Sequence, residues 1–311
     1  VAKIVVTGAS GLLGANALFA LAGEHQVVGV YHQHAVSAPG IRCLQADLSQ
    51  ADQVDQLLQR EQPEWVIHCA AAANVDACQE NPEWAYRLNR DMAGYVARAC
   101  RAVGARLAHI STDLVFDGQR GAYVEDDQPH PINIYGQSKL AGEQRVQEAC
   151  PNALIVRTNL YGWNALDKFS LAEWFLDRLQ SEGAAPGFVD MKSTPILVND
   201  LIDVVEKLLT VSYGGVFHVG GRDCLTKFEF GQKVGQTFEL NDFVIRPTSV
   251  DDLGLRAPRA KNLCLQGAKV EAALQEKLPG VDEGLNRFRD LYRSGFVDRL
   301  KELPGGKHGN A

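Results

Sequence analysis

KIVVTGASGLLGANALFALAG, residues 3–23, decides the fold. Its first five residues form a short apolar run that reads as a strand, the glycines at 8, 11 and 14 follow at once, and Leu13, Ala17, Leu18 and Leu21 then recur at helical spacing up to Gly23. Such glycines let a backbone turn tightly and approach a pyrophosphate. That charge would then sit against the free N–H groups and the dipole at a helix N-terminus. The stretch Ile4 to Gly23 carries no charge and is about as long as a membrane span, but glycine, Thr7 and Ser10 in its middle and the lack of a basic flank argue against a span or a signal peptide. A strand–turn–helix that binds a dinucleotide explains the glycines, and the expectation is a cytoplasmic, unanchored protein.

Outward from this unit the alternation continues. Strands are expected at Lys3–Thr7, Gln26–Tyr31, Ile41–Gln45, Trp65–Ala70, Arg106–Ser111, Ala153–Arg157 and Val216–Val219, with helical patterns between them at Ala51–Arg60, Pro82–Val103 and Tyr135–Ala149. The fold class is therefore α/β, a Rossmann-like doubly wound parallel sheet. After Arg157 the rhythm breaks, and a smaller, mostly helical C-terminal substrate domain is expected. Residues 1–160 would form the dinucleotide-binding domain with 188–221 returning to it, residues 161–187 and 222–303 the second domain, and 304–311 a flexible tail.

The chain has 311 residues, 46% of them hydrophobic, and a net charge of −7, which offers no general attraction to nucleic acid or an anionic membrane. Seven cysteines, at 43, 69, 78, 100, 150, 224 and 264, are odd in number and without a C-x-x-C, so free buried thiols in a reducing compartment are expected, with no metal site.

The spacing G-x-x-G-x-x-G places Gly8, Ser10, Gly11, Leu12 and Leu13 at the expected pyrophosphate. After the second strand comes Tyr31-His32-Gln33-His34, where a carboxylate would select NAD. Its absence leaves room for a 2'-phosphate beside His32, so NADPH is favoured and NADH is the alternative. Asp47, with Leu48 beside it, is placed for the adenine or as a helix cap. The small residues Cys69, Ala70, Ala71 and Ala72 stand at a strand's carboxyl end, where open α/β sheets bind ligands.

Tyr135 and Lys139 share one helix face. An ammonium beside a phenol favours the phenolate and would bring its pKa toward the working range. Ser111 and Thr112 end the fifth strand and would place a hydroxyl donor at the same spot.

On TGASGLLG (7–14), CAAAANVDACQENPEWAYRLN (69–89), STDLVFDG (111–118), YGQSK (135–139), RTNLYGW (157–163), GGVFHVGG (214–221) and RAKNLCLQGAKV (259–270), the chain resembles the extended short-chain dehydrogenase/reductases, and among them the dTDP-4-dehydrorhamnose reductase group. The resemblance implies a catalytic set of Thr112, Tyr135 and Lys139. It implies hydride delivery from the nicotinamide to the C4 ketone of a nucleotide-linked 6-deoxysugar, with the proton from Tyr135. It further implies Asn89, Ser111 and Asn159 beside the cofactor, Val75, Asp76, Asp113, Leu114 and Trp163 beside the substrate, and a homodimer. Leu114, Leu160 and Ala260 depart from the group's usual residues, and these departures fall where substrate is read. Two other readings stand: reduction of a non-nucleotide ketone such as a 3-oxoacyl compound, and a non-catalytic dinucleotide-binding regulatory subunit like that of methionine adenosyltransferase. A dehydratase is disfavoured, since Asp113 is followed by Leu114 and not by glutamate.

Overall fold

A computed structural model describes residues 1–303; the tail expected at 304–311 lies outside the described residues. Seven strands form one parallel sheet: β1 Lys3–Thr7, β2 Gln26–Tyr31, β3 Arg42–Gln45, β4 Trp65–His68, β5 Arg106–Ile110, β6 Leu154–Arg157 and β7 Gly215–His218. Their order is β7-β6-β5-β4-β1-β2-β3, so the chain reverses its winding between β1 and β4. A crevice opens at that point beyond the strands' carboxyl ends.

Helices α1 Leu12–Leu21, α2 Ala51–Glu61, α3 Val75–Glu80, α4 Pro82–Tyr86, α5 Met92–Val103, α6 Ile134–Ala149, α7 Leu171–Glu182, α8 Val198–Thr210, α9 Lys227–Thr237, α10 Ala268–Leu274, α11 Val281–Arg293 and α12 Phe296–Lys301 complete the molecule. Strand alternation sends Ile4 and Val6 of β1 into one core, with Leu18 of α1 and Leu201 of α8, and sends Val5 into a second core, with Leu57 of α2 and Val96 of α5. Both sheet faces are covered, which is why the strands read as continuous apolar runs.

The expected helix Pro82–Val103 is interrupted by a π-helical turn at Arg87–Asp91, and β4 stops at His68, two residues short of its expected end. These two departures are linked. Beyond His68 the chain swings toward the glycine turn, with the Cys69 N–H donating to the Thr7 hydroxyl at 3.2 Å. The π turn carries Asn89 beneath it.

Beyond β6 the structure contains more strand than expected. Ala184–Phe188 pairs in parallel with Val244–Thr248, and two further two-residue pairs join Leu160–Tyr161 to Ile196–Leu197 and Lys192–Ser193 to Leu225–Thr226. The cysteine expectation is corrected as well. Cys224 and Cys264 form a disulfide, their Cα atoms 5.5 Å apart although 40 residues separate them, while Cys43, Cys69, Cys78, Cys100 and Cys150 are free. Spacing along the chain carries no sign of that approach, which tertiary structure alone creates.

Among the described residues no helix is long and apolar enough to cross a membrane.

Candidate active site

Gly8 adopts φ +66°, a left-handed conformation that suits glycine, and a β-carbon there would lie 2.8 Å from the Ala70 nitrogen. One on Gly14 would be driven into the carbonyl oxygen of Gly8. Backbone atoms make both clashes, so neither is relieved by a side-chain rotation. Gly14→Ala is therefore expected to destabilise the protein by about 1–3 kcal/mol and to weaken dinucleotide binding. Thermal melting and a cofactor titration check this; an unchanged melting point and affinity would contradict it.

The turn floors a cleft of about 250 Å³ lined by Gly8, Ser10, Gly11, His32, Asp47, Leu48, Cys69, Ala70 and Ala71. Leu88 and Met92, which the sequence did not single out, close its wall. Leu13 is buried in the core, and Leu12 packs against the core while remaining partly exposed. The Asp47 carboxylate accepts from the Ser49 N–H and hydroxyl at 3.0 and 2.7 Å, so it pins its own turn. The cradle fits a dinucleotide: glycines stand where backbone must come close, and the rim at the end of β2 carries His32, Gln33 and His34 and no carboxylate.

Several expected cofactor contacts are placed elsewhere. Asn89 is fully buried; its amide accepts from the Ala72 N–H at 2.8 Å and donates to the Ala72 carbonyl and the Ser138 hydroxyl at 3.1 and 2.9 Å. It fastens the alanine loop to α6, and Ala72 is buried with it. Ser111 is buried and donates to Glu143 at 2.5 Å. Side-chain direction at a strand's end depends on what packs there, and a buried carboxylate captures this hydroxyl.

The Tyr135–Lys139 pair is set by the start of α6. The Asn133 side chain caps the helix by accepting from the Gly136 N–H at 2.9 Å. Gly136 packs so tightly that a β-carbon would meet the Leu114 carbonyl oxygen. The helix start is thereby pressed against the loop that follows β5. One turn on, the buried Lys139 ammonium donates to the Ile110 carbonyl at 2.7 Å.

Burial lowers the Lys139 pKa to about 8, against the opposing pull of Glu143 and Cys69. At neutral pH the ammonium form still prevails. Tyr135 departs from the expectation that it would be shifted toward phenolate. Burial pushes its pKa upward, Thr112 lowers it less, and the Asp113 charge adds to the rise. The protein therefore holds Tyr135 as a neutral phenol. Beneath the site, buried His68 and His109 stack with ring centres 5.4 Å apart, and burial followed by the Lys139 charge depresses the pKa of His68 to about 3 and that of His109 well below its usual value.

Beside Thr112 a second hollow of about 140 Å³ is lined by Val75, Leu114, Asn159, Lys192, Lys227 and Arg259, among others. Lys192 and Lys227 belong to the irregular second half, where no motif announced them. Asp76 is engaged otherwise than expected: it pairs with Arg259 at 2.6 Å and accepts from the Ala257 N–H at 3.1 Å, tying the C-terminal loop to α3. Trp163 lies outside this hollow. It is 6% exposed, stacked on Phe288 with ring centres 4.0 Å apart, and donates to the Phe288 carbonyl at 2.8 Å, which makes it part of the core under α11.

The RmlD substrate binding domain family matches residues 2–294. The protein named "Probable low-salt glycan biosynthesis reductase Agl14" of Haloferax volcanii is 34% identical over 287 residues, covering 90% of this chain and 95% of that protein. Methionine adenosyltransferase 2 subunit beta of Pongo abelii is 32% identical over 301 residues, covering 92% of this chain and 88% of that one. Among solved structures, the dTDP-4-dehydrorhamnose reductase of Bacillus anthracis in complex with NADP superposes with a TM-score of 0.81 at 31% identity, covering 93% of this chain and 99% of that one.

Proposed function

Because the chain belongs to the RmlD substrate-binding-domain family, we propose that it is a nicotinamide-dinucleotide-dependent carbonyl reductase whose substrate is the C4 ketone of a nucleotide-linked 6-deoxysugar. The observation that carries the reading is the placement of Tyr135 and the buried Lys139 one turn apart on α6, Tyr135 packed on Ala72 beside the glycine cradle and Lys139 fixed by the Ile110 carbonyl. NADPH is the proposed cofactor, on the strength of His32 and His34 where a carboxylate would select NADH.

When bound, the reduced nicotinamide supplies a hydride to the carbonyl carbon. Tyr135 gives its proton to the carbonyl oxygen as negative charge develops there. The Lys139 cation, fixed by the Ile110 carbonyl, stabilises the phenolate left behind and offers its remaining N–H donors to a cofactor ribose. Thr112 hydrogen-bonds the same substrate oxygen, and the small side chains of Ala70 and Ala71 let cofactor and substrate approach closely.

The similarity to a methionine adenosyltransferase subunit favours a second reading, a dinucleotide-binding subunit without turnover. Following the near-ultraviolet absorbance of NADPH and then NADH separates the two. Consumption is expected with the 4-keto-6-deoxysugar nucleotide and faster with NADPH; cofactor binding with no consumption by any ketone would favour the subunit.

A further inference from the structure

Asp113 is 1% exposed although it follows the catalytic Thr112 directly. Its carboxylate turns back on its neighbours: one oxygen accepts from the Thr112 hydroxyl at 3.1 Å, the other from the Asn159 amide at 2.8 Å. An ionised carboxyl has no proton to give, so it takes the only hydrogen that Thr112 possesses. What remains on the Thr112 oxygen is lone pairs, one of them accepting from the Leu114 N–H at 3.2 Å. In this state Thr112 is an acceptor, the wrong sense for a group meant to hold a developing alkoxide. A neutral carboxyl reverses the pattern: the acid donates to Thr112 and frees the threonine hydrogen to point at the substrate.

We propose that Asp113 is a positioning residue whose protonation sets the direction of the Thr112 hydroxyl, so that Thr112 donates to the substrate oxygen only when the Asp113 carboxyl is neutral. The proposal rests on the reductase reading. The surroundings place this switch within reach of neutral pH. Burial raises the Asp113 pKa to about 6, against hydrogen bonds from Asn159 and Thr112 and the Lys227 charge at the start of α9. Lys227 is itself weakened as a cation by burial and by Arg259, and Tyr135 on α6 faces Asp113 as a neutral phenol.

The test is the pH dependence of kcat in the wild type, Asp113→Asn and Asn159→Ala, with KM measured alongside. In the wild type kcat is expected to fall as pH rises through a limb at or above pH 6, by roughly tenfold per unit toward a plateau about 100-fold lower, the effect of losing one donor at the reacting oxygen. An asparagine at 113 accepts from Asn159 and donates to Thr112 at every pH, so the limb disappears. Removing the Asn159 donor destabilises the carboxylate, so the limb moves to higher pH. The limb near pH 6 retained in Asp113→Asn, or unmoved in Asn159→Ala, overturns the proposal, as does a change confined to KM; the separate fall near pH 8, where Lys139 loses its charge, is common to all three forms. Turnover with an unchanged limb sinks this proposal alone; no turnover by the wild type with any ketone sinks the reductase reading with it.

Discussion

Replacing Tyr135 with phenylalanine is expected to lower kcat by roughly 100- to 10,000-fold while leaving cofactor affinity near the wild-type value. The ring packs against Ala72, Cys78 and Ala85, and phenylalanine fills the same space, so the fold has no reason to change. What disappears is the hydroxyl, and with it the proton donor at the carbonyl oxygen. Since burial raises the tyrosine pKa, no limb from this group is expected near neutrality in the reductive direction. Steady-state kinetics with a fluorescence titration of the reduced cofactor separate the two effects. Turnover within a few-fold of wild type would remove Tyr135 from the mechanism.

The second large effect is on stability. Glu143 and Arg157 form an ion pair with side chains only 3% and 5% exposed, joined at 2.7 Å and by further contacts from the Arg157 Nε to both carboxylate oxygens. Arg157 also lies over the Phe116 ring and approaches His218 at 3.4 Å; burial followed by the Arg157 charge depresses the His218 pKa to about 3, so His218 stays neutral beside it and Glu143 supplies the negative charge of the pair. Glu143→Ala would leave a buried guanidinium without an anion, at a cost of about 3–5 kcal/mol and a melting temperature lower by roughly ten degrees. The exposed Arg145–Glu148 pair on the same helix is the control, since Glu148→Ala should change stability by no more than about 0.5 kcal/mol. Equal effects of the two variants on thermal melting would contradict the account.

The same residues indicate what was legible in the chain. The strand–glycine–helix unit and the alternation through Arg157 depend on local periodicity, and the observed strands match the expected ones to within two residues. Tyr135 and Lys139 were readable because four residues on a helix bring two side chains to one face. The expectation that Ser111, Asn89 and Trp163 face ligands rests on their places in the order of the chain. Their side chains are claimed instead by Glu143, Ala72 and Phe288, partners that only the folded chain brings near.

The second half was harder for a physical reason. Ala184–Phe188 contains glycine and proline and no β-branched residue, and becomes a strand only through its pairing with Val244–Thr248. Lys227 reaches the hollow beside Leu114 and Asn159 from the start of α9, which Thr226 and Glu229 box, a helix signal that says nothing about a ligand. The Cys224–Cys264 bond likewise joins segments that are neighbours only in the fold.

The central claim is that this cleft moves a hydride to a sugar ketone while Tyr135 supplies the proton. Its most direct test is label transfer: the protein is given nicotinamide cofactor deuterated at the transferable position together with a 4-keto-6-deoxysugar nucleotide, and the product is analysed by mass spectrometry and proton NMR. The account predicts a single deuterium at the sugar C4, absent from the Tyr135→Phe reaction over the same time. Unreduced sugar with intact deuterated cofactor, despite measurable cofactor binding, would contradict it.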